Sequence, residues 1–399
     1  MATVPSGSSL ATLARFGFVD LEATIAKLDR LVSLVGDVGR SALAYLTKAA
    51  SPDLALDQII LLAELDKSKI KKLLSKEDSG TRLAKVLGSS TALYDHLQRN
   101  LQDLELFEKS QSTLPSKHEF DKHFEASFSA LSKTEFNSAH YIGALRSTYR
   151  TNLLRIAIYD LSQVQPVSAI QKVSAALADL ASSALDAGLV IARKELVETT
   201  EFGTHTQEEV DATQLAIIGM GKGGARELNY ISDVDVIFVA ESDSLENERM
   251  LTIATRMATR MMRAMDANNT EPSLWQVDAN LRPEGKSGAL VRTLDSHQAY
   301  YARWAENWEF QALLKARPFA GDMTLGNRYF EVINPLVWQS TQRENFVESV
   351  QRMRERVSAN IPPDEADWQI KLGVGGLRDI EFTVQLLQLV HGRSDESVR

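Results

Sequence analysis

"LAIIGMGKGGARELNYISDVDVIFVAE", residues 215–241, is the stretch whose reading decides the fold. An apolar run, Leu215 to Ile218, enters a glycine turn. Gly219, Gly221 and Gly224 fit G-x-G-x-x-G, and Glu241 follows about twenty residues on, as in a dinucleotide-binding fingerprint. The residues in between argue against that reading. Val234 to Val239 reads as a second strand from its β-branched and aromatic residues. Only Ala225 to Asp233 separate it from Gly224, whereas a parallel crossover takes about a dozen residues or more. "ARELN" supplies one or two helical turns and Ser232 a turn residue, so a short helical turn joins the strands.

The second strand is also wrong for a Rossmann core. Asp233 and Asp235 are two apart and point to one face of a strand. A strand buried on both faces is nearly all apolar. Two neighbouring carboxylates repel, and desolvating them is costly unless a cation sits between them. Hard divalent cations take oxygen ligands, and Mg²⁺ commonly pairs one or two carboxylates with substrate phosphates. A solvated Asp pair at the start of an edge strand is the plainer alternative.

The surrounding chain has 399 residues, enough for two or three domains, and a formal net charge of -9, which counts against broad nucleic-acid binding. It has no cysteine, so disulfides and thiolate zinc sites are excluded, as suits a reducing cytosol. "MATVPSGSSLATLARFGF" lacks the charged and apolar regions of a secretory signal, and no unbroken apolar run predicts a membrane span. Residues 1–200 read as core-facing helices, with apolar residues spaced at three and four in "DLEATIAKLDRLVSLVG" and "SAIQKVSAALADLASSALDAGLVIARKELV". His118 and His123, in "SKHEFDKHF", are five apart, off helical metal-pair geometry, and read as a solvated loop.

Strands, glycines and acids occupy about 205–295, and helix returns from about 296. "AYYARWAENWEFQALLKARP" sets Tyr300, Tyr301, Trp304, Trp308 and Ala312 on one stripe, read as packing rather than base stacking, with Pro318 stopping the helix. "NIPPDEADW" reads as a linker, and the ending "SDESVR" suggests a piece of something longer.

Metal-dependent phosphoryl transfer often uses two metals, which calls for a third carboxylate. "SLWQVDANLRPEGKSGAL" supplies it: a short strand, Trp275 to Val277, is followed by Asp278. Arg282 lies four residues on, and Gly285, Lys286 and Gly288 form a turn, a setting that suits a phosphate-bearing substrate as well as a surface Asp–Arg pair. A strand, a glycine turn with a short helix, a D-x-D strand and a later strand with one Asp make the layout of polymerase-β-like nucleotidyltransferases. In that layout the glycine turn lets backbone amides approach phosphate oxygens, and the helix N-terminus faces them.

Four blocks carry a resemblance from about residue 140 to the end. "GMGKGGARELNYISDVDVIF", "VDANLRPEGKSGALVRTL", "RWAENWEFQALLKARPFAGD" and "GVGGLRDIEFTVQLLQLVHGR" resemble the glutamine synthetase adenylyltransferase/adenylyl-removing family. The family commonly reads G-M-G-K-L-G-G; here Gly223 and Ala225 replace its Leu and last Gly. Family members carry two nucleotidyltransferase units in tandem. This chain has one such block and "VDANLRPEG", so it resembles the N-terminal, adenylyl-removing unit, particularly of actinobacterial members.

The resemblance implies an α+β fold: a small mixed sheet in a polymerase-β-like domain flanked by large helical regions. It divides the chain into a helical domain 1–135, a nucleotidyltransferase domain 136–330 and a truncated helical domain 331–399. It implies phosphorolysis, in which phosphate removes AMP from a tyrosine of glutamine synthetase to give ADP, under a PII-type nitrogen-signalling protein, in the cytoplasm. Asp233, Asp235 and Asp278 would be the catalytic and metal-binding acids, with Mg²⁺ or Mn²⁺. Gly219, Lys222, Gly223 and Gly224 would meet the phosphates, joined by Arg282 and Lys286. Arg378, Asp379 and Glu381 form a charged set that either faces substrate or docks the last helices through an ion network. The alternatives are ATP-dependent adenylylation, a PII-uridylyltransferase relative, or a silent module that binds synthetase or PII.

Overall fold

The computed structural model describes residues 10–399, apart from 111, 134, 200–204, 360, 363, 366 and 367. The first nine residues and part of the linker-like stretch at 360–368 therefore lie outside the described residues. The chain forms two compact units: Met1–His123 with Ser147–Leu180, and Phe124–Arg146 with Ala181–Arg399.

The first unit is helical, as the three-and-four apolar spacing predicts. Its helices bury a core that includes Leu31, Leu56, Ile59, Leu83 and Phe107. Their starts are fixed by side chains that occupy free backbone N–H groups: Ser51 accepts from Leu54 N and Ser90 from Leu93 N. His118 and His123 lie in the helix Lys117–Leu131, not in a loop. The cause is a reciprocal cap at Ser116 and Glu119: the Ser116 N–H donates to the Glu119 carboxylate at 2.8 Å, and the Glu119 N–H to Ser116 Oγ at 3.4 Å. The helix Pro166–Glu198 is long and apolar enough by composition to cross a membrane, but 78% of its most apolar window is buried inside the protein.

The second unit carries a five-stranded mixed sheet: β1 Gln214–Gly219, β2 Val234–Glu241, β3 Val277–Asp278, β4 Val291–Arg292 and β5 Arg317–Gly321. β1 lies between antiparallel partners β2 and β5, while β3 and β4 both pair parallel with β2. Ala216, Ile218, Ile237 and Val239 face a core shared with Leu294, Tyr301, Phe310, Tyr329 and Leu389. Behind the sheet runs the helix Asn247–Asp266, burying Met250, Ile253, Met257 and Met261. Its C-terminal end is held by the fully buried Arg146, whose guanidinium donates to the carbonyls of Ala264, Ala267 and Glu271 at 3.0, 2.7 and 2.9 Å.

Three local expectations change. The short helix after β1 falls on the glycines themselves, Gly221–Gly224, and "ARELN" is turn and loop. A left-handed Gly221, at φ 49°, lets the turn begin that early. The aromatic stripe is broken into two helices, Leu294–Arg303 and Asn307–Leu313. Glu306 starts the second with a reciprocal cap to Glu309, so Tyr301 is buried while Trp304 is 65% exposed. Pro318 does not stop a helix; it lies inside β5, opposite Ile218 on an outer strand of the sheet, where its missing N–H is tolerated.

Candidate active site

The register of the sheet builds the site. β2 pairs parallel with β3 so that Val234 stands beside Val277 and Asp235 beside Asp278. Asp233, two residues before Asp235, lies on the same side. Asp235 continues the row of Ile237 and Val239, so the acids stand where an apolar sheet face gives way to charge. The Asp278 carboxylate accepts from the Asn280 N–H at 2.7 Å, which fixes its rotamer. One oxygen from each of Asp233, Asp235 and Asp278 lies within 4.8 Å of the other two.

The electrostatics of this cluster are unfavourable for bare carboxylates. Burial, then repulsion from Asp233 and Asp278, pushes Asp235 up from 3.8 to about 6, against the opposing pull of Arg378 and Lys222. Three converging oxygen donors of like charge fit a hard divalent cation, whose charge would offset that repulsion.

The glycine turn is shaped around Asp235. A Cβ on Gly221 would stand 2.4 Å from Asp235 Oδ2, in a backbone conformation that L residues rarely adopt. The Met220 N–H donates to the Asp235 carbonyl at 2.9 Å, tying the turn to β2. The other glycines answer to packing. A Cβ at Gly219 would meet the Phe319 ring at 2.8 Å, and one at Gly224 the Lys315 carbonyl at 2.0 Å, whereas Gly223 has ordinary room. Lys222 is exposed and donates to Asn229 Oδ1 at 3.2 Å.

In the loop after β3, Arg282 is held by the loop itself. It donates to the carbonyls of Ala279, Lys286 and Gly288 at 2.7, 3.1 and 3.1 Å, and Lys286 is exposed. Glu241, the acid of the apparent dinucleotide fingerprint, pairs with Arg328 at 2.5 Å. The charged set on the helix Leu377–Gly392 divides. Asp379 binds Arg354 and accepts from the Gly375 N–H at 2.6 Å, whereas Glu381 pairs with Lys315 at 3.2 Å and with Arg378 at 3.5 Å. Gly221, Asp235, Lys315, Arg378 and Glu381 line one cavity of about 280 Å³.

All four blocks of the resemblance thus contribute to one neighbourhood: the glycine turn and D-x-D, the strand with Asp278, the helix Asn307–Leu313 and the helix Leu377–Gly392. Sequence reasoning missed Gly221 as the neighbour of Asp235, and it missed the cavity walls Trp308, Gln311 and Gln385. Trp308 and Gln311 stand in a quoted block, but helical spacing alone does not tell a cavity wall from a core face.

A small mixed sheet thus presents three carboxylates beside a glycine turn, the layout expected of a nucleotidyltransferase. The chain belongs to the glutamate-ammonia ligase adenylyltransferase family, whose model matches residues 80–331. A second model, GlnD PII-uridylyltransferase, matches residues 342–398. Similar proteins named bifunctional glutamine synthetase adenylyltransferase/adenylyl-removing enzyme include one from Leifsonia xyli subsp. xyli, 47% identical over 98% of this chain. Those of Streptomyces avermitilis and Mycobacterium tuberculosis strain H37Rv are each 43% identical over 98% of it. The aligned regions cover 39%, 38% and 37% of those proteins, so the chain spans well under half of their length.

Proposed function

We propose that this chain is the adenylyl-removing unit of a glutamine synthetase-modifying enzyme. The observation that carries the proposal is the convergence of Asp233, Asp235 and Asp278 beside the Gly221 turn. In the reaction an oxygen of inorganic phosphate attacks the AMP phosphorus, the bond to the tyrosine oxygen breaks, and the tyrosine takes a proton. The products are ADP and unmodified synthetase.

Asp233, Asp235 and Asp278 would hold Mg²⁺ or Mn²⁺, which neutralises phosphate charge when bound. The chain's own groups orient the reactants. Arg378, close enough to Asp235 to lower its pKa, is placed to meet an anionic phosphate, and Lys222 flanks the acids as a second cation. Lys286, exposed on its turn, serves phosphate better than Arg282, whose guanidinium staples the loop. Gly219, Gly223 and Gly224 keep the backbone compact there. Asp379 positions the helix Leu377–Gly392 through Arg354 rather than meeting substrate.

On this reading residues 136–330 form the catalytic domain, between helical regions 1–135 and 331–399. The uridylyltransferase match at 342–398 supports a link to a PII-type signalling protein. On this reading the chain works in the cytoplasm, which suits a sequence without cysteine.

The same machinery run from ATP would adenylylate synthetase, and the names of the relatives include both directions. The nucleotide product decides. The chain is incubated with adenylylated synthetase, Mg²⁺ and phosphate, and ADP is the expected product. ATP-dependent transfer of AMP onto unmodified synthetase, with no ADP released from the modified protein, overturns the proposed direction. A silent module would do neither, and would have no use for three mutually repelling carboxylates.

A further inference from the structure

A second cavity, of about 360 Å³, lies at the break between the helices Leu294–Arg303 and Asn307–Leu313, beside the start of the helix Phe346–Ala359. Consecutive residues of the same two helices line both cavities. Trp308 and Met353 line the one that holds Asp235, whereas Asn307 and Arg352 line the second. These two helices pack against each other, so the cavities flank one wall. The acids do not explain the second cavity.

Two of its residues are poised for a partner. Asn307 is 8% exposed, yet its carboxamide has no hydrogen-bond partner among the described residues. The amide is not sealed off, because the residue lines the cavity and its polar atoms stay open to it. Burying an amide without partners is costly. One that offers both a donor and an acceptor matches the C=O and N–H of an extended polypeptide. Arg343 is committed to the fold, donating to the Ala305 carbonyl at 2.5 Å, and Glu306 to its cap. The buried group left for a ligand is therefore a neutral amide, which suits a polypeptide backbone better than an anion. Beside it Trp304 is 65% exposed, with the Arg303 guanidinium over its ring, 4.8 Å from the centroid. Trp and Arg are the residues that most often carry the binding energy of protein interfaces.

Resting on the proposed function, we propose that this second cavity docks the polypeptide next to the modified tyrosine of the protein substrate. The phosphorus under attack must reach the acids, so the tyrosine that carries it comes to their cavity and brings its own chain along the wall. Consecutive Cα atoms stand about 3.8 Å apart, so a few residues of extended chain reach from one cavity to the next. Asn307 pairs with the backbone of that segment, and Trp304 takes one of its side chains. These contacts serve a protein and offer nothing to free phosphate. Trp304 and Asn307 are docking residues, and neither touches the reacting atoms.

The test passes adenylylated glutamine synthetase over the immobilised intact chain and reads its affinity by surface plasmon resonance. Melts followed by circular dichroism confirm that each variant is folded. Trp304→Ala should weaken synthetase binding about thirtyfold, the size of an interface hot spot. Asn307→Ala should weaken it about tenfold, the loss of a paired backbone contact. In phosphorolysis the loss should appear in KM, and a loss confined to kcat overturns the proposal. Variants that bind synthetase as tightly as the unaltered chain overturn it too, as does an unaltered chain that binds no synthetase. If Asn307→Ala does not fold, Trp304→Ala, at an exposed position, still decides. The outcome is separable from the direction of catalysis, because the affinity is read without turnover. Release of ADP by a chain whose variants keep full affinity for synthetase overturns only the docking site. Loss of affinity in the variants of a chain that transfers AMP from ATP overturns only the proposed direction.

Discussion

At the scale of single residues, Asp235 separates function from folding. If the acid triad stabilises charge in the transition state, Asp235→Asn should lower phosphorolysis about 10²–10³-fold, the loss of about 3–4 kcal/mol of electrostatic stabilisation. Metal-free stability should move the other way. The folded protein holds this carboxyl at about 6, against 3.8 in the unfolded chain, so the folded state binds the extra proton between those values. Its contribution is therefore fully present below 3.8 and is lost as pH rises through about 6. The Asn variant should melt at or above the unaltered protein at pH 7, and the gap should close as pH falls through that window. An Asn variant that melts earlier at pH 7 and stays active when folded would instead make Asp235 a strand anchor. Gly221→Ala probes the same atoms from the turn. It forces a left-handed alanine, at about 1–2 kcal/mol, and sets its Cβ against the Asp235 carboxylate. Urea titration should show that loss together with weakened Mn²⁺ binding by calorimetry; unchanged Mn²⁺ affinity would mean the turn does not shape the site.

At the scale of elements, the sheet rests on a buried histidine. His297, 1% exposed on the helix Leu294–Arg303, lies 3.4 Å from the Phe238 carbonyl of β2, stacked beside Tyr301 and edge-on to Tyr329. Burial pulls its pKa down from 6.5 to about 4. Below pH 6.5 the unfolded chain takes up a proton that the folded one refuses, so stability is lost as pH falls from 6.5 towards 4. His297→Phe should show a shallower loss than the unaltered protein across that window in urea melts at stepped pH. Parallel curves would place the acid sensitivity elsewhere.

The elements also show what the sequence made legible. β1, β2 and the acids were readable because an apolar run, Leu215 to Ile218, enters the glycine turn and a β-branched and aromatic run, Val236 to Val239, continues directly from D-x-D. β5 was not, because its signal is five residues long and contains Pro318, the residue that argues most strongly against a strand. The break at Trp304 was hidden because the cap that makes it, Glu306 with Glu309, reads as two more helical acids. Asp278 was found through its neighbours in a glycine-rich segment, but its pairing with Asp235 is a register that no local pattern encodes. The packing of Gln311 was illegible because its partner Gln385 lies more than seventy residues away.

At the scale of the whole molecule, all five tryptophans, at 275, 304, 308, 338 and 368, belong to the unit that carries the sheet. Far-ultraviolet circular dichroism follows the helices of both units, whereas tryptophan fluorescence follows only this one. Ligand that binds the folded site alone stabilises it by mass action, about 2.7 kcal/mol at a hundred times Kd. Mg²⁺ with ADP should therefore raise the midpoint of the fluorescence melt, and Asp235→Asn should abolish most of the rise. A midpoint indifferent to both ligands would remove the triad from consideration as a binding site.

The two-residue pairing of β3 with β2 also bears on how the molecule is assembled. β1 and β2 are joined by a short connection and pair along the whole of β1, so their ladder closes a small loop. β3 must come back past the whole helix Asn247–Asp266 to lay Asp278 beside Asp235, bringing a third negative charge toward two others. During refolding, local contacts reward the chain first and non-local ones later. By sequence separation the third acid thus joins the other two after the β1–β2 ladder but ahead of the pairing of β4 with β2 and of β5 with β1, so the chemistry is assembled partway through the architecture.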